Sequence, residues 1–148
     1  MDLRHDMLNH GVNVVTSAHE GRRGGLAVAW ATQVATDRVL ICVGSQSTTR
    51  ELLLGSGAFA VNVLRRDQLE IARRFGGRHS AEVDKFEGIA WHLGRAGAPL
   101  LDDCAASLEC EVEYVYGEGG EKLTVGRVIS AEFHETDYTP LIYRESDY

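Results

Sequence analysis

Proline occurs only twice, and no stretch of the chain has the composition of a linker or a disordered tail. The three cysteines, Cys42, Cys104 and Cys110, are odd in number and lack C-x-x-C spacing, which excludes a disulfide framework and a zinc ribbon. No apolar run approaches the ~20 residues that cross a bilayer. The N-terminal MDLRHDMLNHG carries charges where a signal peptide needs an apolar core, so a cytoplasmic location with no membrane partner is expected. Basic runs are also missing: Arg22-Arg23, Arg65-Arg66 and Arg73-Arg74 are isolated pairs in a chain of net charge -7. Binding to a nucleic-acid polymer, which draws on clustered cations, is therefore not expected. The six histidines are scattered, His5 and His10 stand five apart, and no metal site is expected. No G-x-S-x-G elbow or other nucleophile arrangement stands out, so the chain offers no catalytic residue of its own. Such a chain performs chemistry, if it does, with a borrowed cofactor.

What is present suits one domain spanning residues 1–148, large enough to bury roughly 70% of its unfolded surface. Residues 2–9 read as a short helix ending before Gly11, and Val12 to Thr16 as a β-branched strand. Gly21 to Gly25 reads as the turn of a hairpin, since it lacks the Lys-Ser/Thr ending of a phosphate loop. Val39 to Val43 and Ala58 to Leu64 read as strands, with helices over Arg50–Leu54 and Asp67–Phe75; Asp67 and Glu70 have capping-box spacing. From Leu108 to Tyr116 apolar residues alternate with Glu109, Glu111 and Glu113, as expected of an antiparallel sheet with one wet face. Leu123, Val125, Ile129, Ala131 and Phe133 continue the two-residue period after a turn at Gly117–Gly120, with Arg127 breaking the inward series. So many antiparallel strands with only peripheral helices predict a mainly β, closed or partly closed barrel.

The most pointed stretch is Gly25 to Leu64. Between Leu26 and Thr32 the residues Ala27, Ala29 and Ala31 share one predicted face, flat enough for an aromatic ring to reach backbone groups. Close packing of a helix or loop is the competing account, and Trp30 reads equally as core. Ser45-Gln46-Ser47-Thr48-Thr49 gathers hydroxyls at a helix start, the ingredients of a phosphate site. Capping by Thr48 and Glu51 explains part of that pattern without a ligand.

In order and spacing these pieces resemble the flavin reductase-like, FMN-binding split-barrel family. The resemblance runs from Gly11 to Tyr148 through Gly11-Val-Asn-Val-Val-Thr16, Ala29-Trp30, Gln33-Val34 and the Thr49 loop. It continues in Ser56-Gly57-x-Phe59-Ala-Val-Asn-Val-Leu64, Asp84-Lys85-Phe86, Pro99-Leu100, Gly126-Arg127-Val128 and Pro140-Leu-x-Tyr143. It implies a six-stranded antiparallel Greek-key split barrel with short peripheral helices, usually a homodimer, binding FMN or in some members FAD. It also implies that Ala29, Trp30, Ala31 and Thr32 meet the isoalloxazine ring. Ser45, Gln46, Ser47, Thr48 and Thr49 would then meet the ribityl chain and phosphate, and Lys85 the phosphate region.

The activity so implied is transfer of a hydride from NAD(P)H to flavin N5, the reduced flavin passing electrons to another acceptor. Two departures stand out. Arg38-Val39 replaces a Pro-Pro common in the family, and Gly119-Gly120-Glu121 stands where many members have Gly-Asp-His, the His lying near the nicotinamide. The second departure supports one alternative, an electron carrier reduced by a redox partner protein; a barrel that has lost flavin and serves as a binding or structural subunit is a third reading.

Overall fold

The computed structural model describes residues 1–44, 47–77, 83–117 and 121–148, with only the backbone of Glu121 and Lys122. Its strands are β1 (Asn13–His19), β2 (Arg22–Val28), β3 (Ala31–Ala35), β4 (Arg38–Gly44), β5 (Ala58–Val63), β6 (Trp91–Leu93), β7 (Pro99–Leu101), β8 (Ala106–Tyr116) and β9 (Glu121–Phe133). Two helices, α1 (Thr48–Ser56) and α2 (Leu69–Gly76), lie after β4 and β5. β6 and β7 form a separate two-stranded ribbon.

The other seven strands make one sheet in the order β2-β1-β5-β8-β9-β4-β3, every pairing antiparallel. Its two end strands, β2 and β3, are separated in sequence only by Ala29 and Trp30. Two residues cannot span an open sheet of that width, so the sheet curls until its ends meet. Counting β2 and β3 as one bent strand gives the six strands expected of the barrel. The Cys42 amide carries the β3–β4 ladder on into the bend by donating to the Trp30 carbonyl at 2.9 Å.

Inside the barrel Val15, Val28, Ile41, Val43, Phe59, Val61 and Cys110 pack together with Leu53 of α1. A second cluster outside β1 holds Val14, Leu64, Phe75, Phe86 and Leu101 beneath α2. β1 and β5 are thus buried on both faces. The β6–β7 ribbon is fastened to them by a buried polar knot. Asn62 donates to the Val14 carbonyl and accepts from the Leu101 amide and Ser107 hydroxyl, while Thr16 donates to the Pro99 carbonyl.

Several sequence expectations are overturned. Residues 2–9 form turns instead of a helix, with Leu3, Met7 and Leu8 exposed. That segment is held by the C-terminus: the Glu145 amide donates to Asp6 Oδ2, and the Tyr143 amide to the His10 carbonyl. The first hairpin turns at Glu20–Gly21, both at positive φ, and Arg22–Gly25 already belongs to β2. Gly25 is needed there because a Cβ would sit 2.8 Å from Phe75 Cε1. The alternation along β8 and β9 is broken by irregularities at Glu109/Cys110 and Val112/Tyr114. Consequently Thr124, Gly126 and Val128 face inward, whereas Leu123, Ile129 and Phe133 are exposed. The predicted wet face is also incomplete, since Glu109 is buried and accepts a hydrogen bond from the Ala96 amide.

Candidate functional site

The bend between β2 and β3 and the entry to α1 lie close along the chain. Cys42, bonded to Trp30 at the bend, is only five residues before Ser47, a reach of at most ~18 Å. The bend reorganises the predicted alanine face. Ala27 packs against the outer cluster and Ala31 against the barrel interior, so the two lie on opposite sides of the sheet. Ala29 is half-buried; Thr32 is exposed. Trp30 stands at the surface, its indole N–H donating to the His5 carbonyl and its ring edge-on to His5. The flat strip expected over residues 27–31 is therefore a corner, formed because the strand changes neighbours there.

At the helix entry Ser47 is the N-cap, accepting from the Arg50 amide at 3.3 Å. Capping thus falls to Ser47 instead of the expected Thr48, and Gly57 at φ 75° closes the helix as its C-cap. With Ser47 occupied by the Arg50 amide, the N–H groups of Thr48 and Thr49 start the helix without intrahelical acceptors. Thr49 is buried, and so is Arg50, a residue the sequence reading passed over as an ordinary helix position. Its Nε is buried with no hydrogen-bond partner. Ser45 and Gln46 lie outside the described residues.

Lys85 is buried on the other side of β2. Its ammonium donates to the carbonyls of Gly25 and Phe75 at 3.1 and 2.9 Å, and burial pushes its pKa below the ordinary lysine value. It therefore braces the end of α2 against β2, with one N–H beyond those two bonds. Glu121 begins β9, but its side chain is outside the described residues.

Thiol chemistry finds no footing at Cys104 or Cys110. Burial, reinforced by Glu109, pushes Cys110 up to about 12, and burial also raises Cys104. Among the described residues there is no cluster of metal-binding side chains, and no helix is long and apolar enough to cross a membrane. At the end of the barrel away from α1 lies a cavity of about 520 Å³ walled by Val39, Val63, Leu108 and Val128. Gln33 and Tyr138 supply polar groups there.

A small antiparallel barrel with a bent strand beside a hydroxyl-bearing helix entry defines a class of flavin-binding oxidoreductases, the class its relatives occupy. The chain belongs to the flavin reductase like domain family, whose model matches residues 4–148. It is 32% identical over 141 residues to the flavin-dependent monooxygenase reductase subunit HsaB of Mycobacterium tuberculosis, covering 93% of this chain and 74% of that protein. It is 37% identical over 125 residues to the NADH-dependent FAD reductase of Streptomyces globisporus, covering 82% and 68% respectively. The solved NADH:FAD oxidoreductase SgcE6 of that organism superposes with a TM-score of 0.83 at 32% identity, over 92% of this chain and 82% of that one. The FMN-binding protein of Thermus thermophilus, at 23% identity, shares the fold over 100% of this chain and 89% of its own with a TM-score of 0.89. The activity of the chain is NAD(P)H-dependent flavin reduction.

The residues present fit a flavin in one respect that owes nothing to these relatives. An anion at the start of α1 would meet helix N–H groups that have no intrahelical acceptor, on a helix whose Arg50 keeps a buried Nε without a hydrogen-bond partner among the described residues.

Proposed function

We propose that the protein binds FMN, or the FMN portion of FAD, with the ring at Ala29, Trp30, Ala31 and Thr32 and the phosphate at Ser45–Thr49. The observation that carries this reading is the buried Arg50 Nε without a hydrogen-bond partner in the first turn of α1, a helix that packs against β2, the strand that leads into the bend. Bound there, the flavin supplies the hydride-accepting N5, and a nicotinamide nucleotide supplies the hydride. The chain orients the ring with backbone groups at the bend, exposes one side of it beside Trp30, and holds the phosphate with helix-start donors. No side chain is asked to act as acid or base.

The reduced flavin then serves a separate electron acceptor, as the HsaB reductase subunit's name implies for that protein. The protein acts in the cytoplasm as a single-domain homodimer. Support for the dimer comes from exposed apolar side chains on two neighbouring strands: Tyr114 and Tyr116 of β8 and Leu123 of β9. Tyr114 and Tyr116 stack on one another, and Tyr116 pairs with Leu123 across the hairpin.

Rapid mixing of the flavin-loaded protein with NADH and with NADPH tests the reading. Bleaching of the oxidised flavin band with at least one nucleotide is expected. A tight complex reduced by dithionite but inert to both nucleotides would make the protein an electron carrier, and failure to bind FMN or FAD at all would mark an empty barrel.

A further inference from the structure

Arg50 is the one arginine of the buried class among the described residues, with 9% of its surface exposed. The other arginines that are largely covered have carboxylates: Arg65 meets Asp67, Asp103 and Glu135, and Arg38 meets Asp37 and Glu113. Arg50 has no such pair, and its Nε is buried without a hydrogen bond. Glu51 beside it is exposed, and neighbouring residues on a helix do not face each other. A buried guanidinium nitrogen without a hydrogen-bond acceptor is costly for a fold to retain, because it loses hydration and gains nothing in exchange. Its position supplies a reason. Side chains in an α-helix lean toward the N-terminus, and Arg50 is in the first turn of α1. On that lean a guanidinium at Arg50 is within reach of the helix start, where the N–H groups of Thr48 and Thr49 have no intrahelical acceptor and the helix dipole is positive.

We propose that Arg50 is the phosphate-recognising residue of the flavin site, and that it makes the site select phosphorylated flavins over riboflavin. The inference rests on the flavin reading above. A planar guanidinium offers a fork of donors matched to phosphate oxygens, which a lysine in the same place could not reproduce. A charge without an internal partner is completed by the ligand, and riboflavin brings no anion to complete it.

The test compares FMN and riboflavin binding by flavin fluorescence in the native protein, Arg50→Met and Arg50→Lys. Loss of a charge-assisted hydrogen-bonding partner predicts a fall of about 10- to 100-fold in FMN affinity for Arg50→Met, with riboflavin affinity changed little. Arg50→Lys should fall between the two, and its preference for FMN over riboflavin should shrink; if Arg50→Met fails to fold, this variant decides. A second readout needs no flavin. Inorganic phosphate should raise the melting temperature of the native apoprotein but not of Arg50→Met, and in phosphate-free buffer the Met variant should melt no lower than the native chain. An unchanged FMN-to-riboflavin preference in both variants overturns the proposal. Arg50-dependent stabilisation by phosphate, in a protein that binds neither flavin, would uphold the anion site and sink the flavin reading. No stabilisation by phosphate and no flavin binding would sink both.

Discussion

Lys85 shows how a residue can be legible in the sequence while its geometry is not. A lysine in Asp84-Lys85-Phe86 is recognisable as part of the family pattern, but nothing in the spacing says that its ammonium will be buried against two backbone carbonyls. Replacing it by Met removes both hydrogen bonds that tie α2 to β2. The variant should lose about 1–3 kcal/mol of stability, read from urea unfolding of the apoprotein. A loss of FMN affinity without that destabilisation would mean that the lysine serves the ligand more than the fold. Arg50 failed to draw notice for the opposite reason. Its residue type is ordinary on a helix, and its lack of a partner exists only in three dimensions.

Elements were read unevenly, for physical reasons that differ from one to the next. β4, β5 and α1 are marked by dense apolar runs and glycine stops, and the structure places them within two residues of expectation at each end. The N-terminal helix failed because backbone groups of His5, His10 and Val12, with the Asp6 carboxylate, bond to the C-terminal segment, a long-range competition invisible to local periodicity. The inward face of β9 failed because bulges change the phase of alternation, and a bulge leaves no period of its own. The β6–β7 ribbon was not anticipated as a unit: its two strands have only three residues each.

That ribbon carries a pH dependence. His92 of β6 bonds to Asp102 through Nδ1 at 2.5 Å and to Glu132 of β9 through Nε2 at 3.1 Å. These hydrogen bonds, Asp102 first, raise its pKa above the ordinary histidine value. A raised pKa means that the folded state holds the proton more tightly, so the stabilisation is fully present below pH 6.5. It is lost as pH rises through the elevated value. His92→Asn should therefore differ most from the native chain in urea midpoint near pH 6, and the gap should close toward alkaline pH. A gap independent of pH would assign the histidine a packing role only.

For the whole molecule, the proposed homodimer rests on the exposed apolar side chains of the β8–β9 hairpin. Tyr114 and Tyr116 are each 52% exposed, with Leu123 beside Tyr116, a patch that covering by a second copy would bury. Tyr116→Asp should convert a dimer to a monomer in sedimentation equilibrium while leaving the far-UV spectrum unchanged. A native protein that sediments as a monomer would remove the basis for the homodimer. The fold as a whole was legible because its long strands and turns are local; the sites were less so because each depends on which neighbour a residue meets.

The bend at Ala29–Trp30 has an evolutionary corollary. It joins the two ends of the sheet, and it sets which side of β3 faces inward: Ala31 packs into the interior while Thr32 lies outside. One residue more or fewer would invert that choice for the rest of the strand and for the bond to Cys42. Side chains at this joint are free to drift with the ligand they meet. Its length is not, so lineages of this barrel should diversify there by exchange and seldom by insertion or deletion.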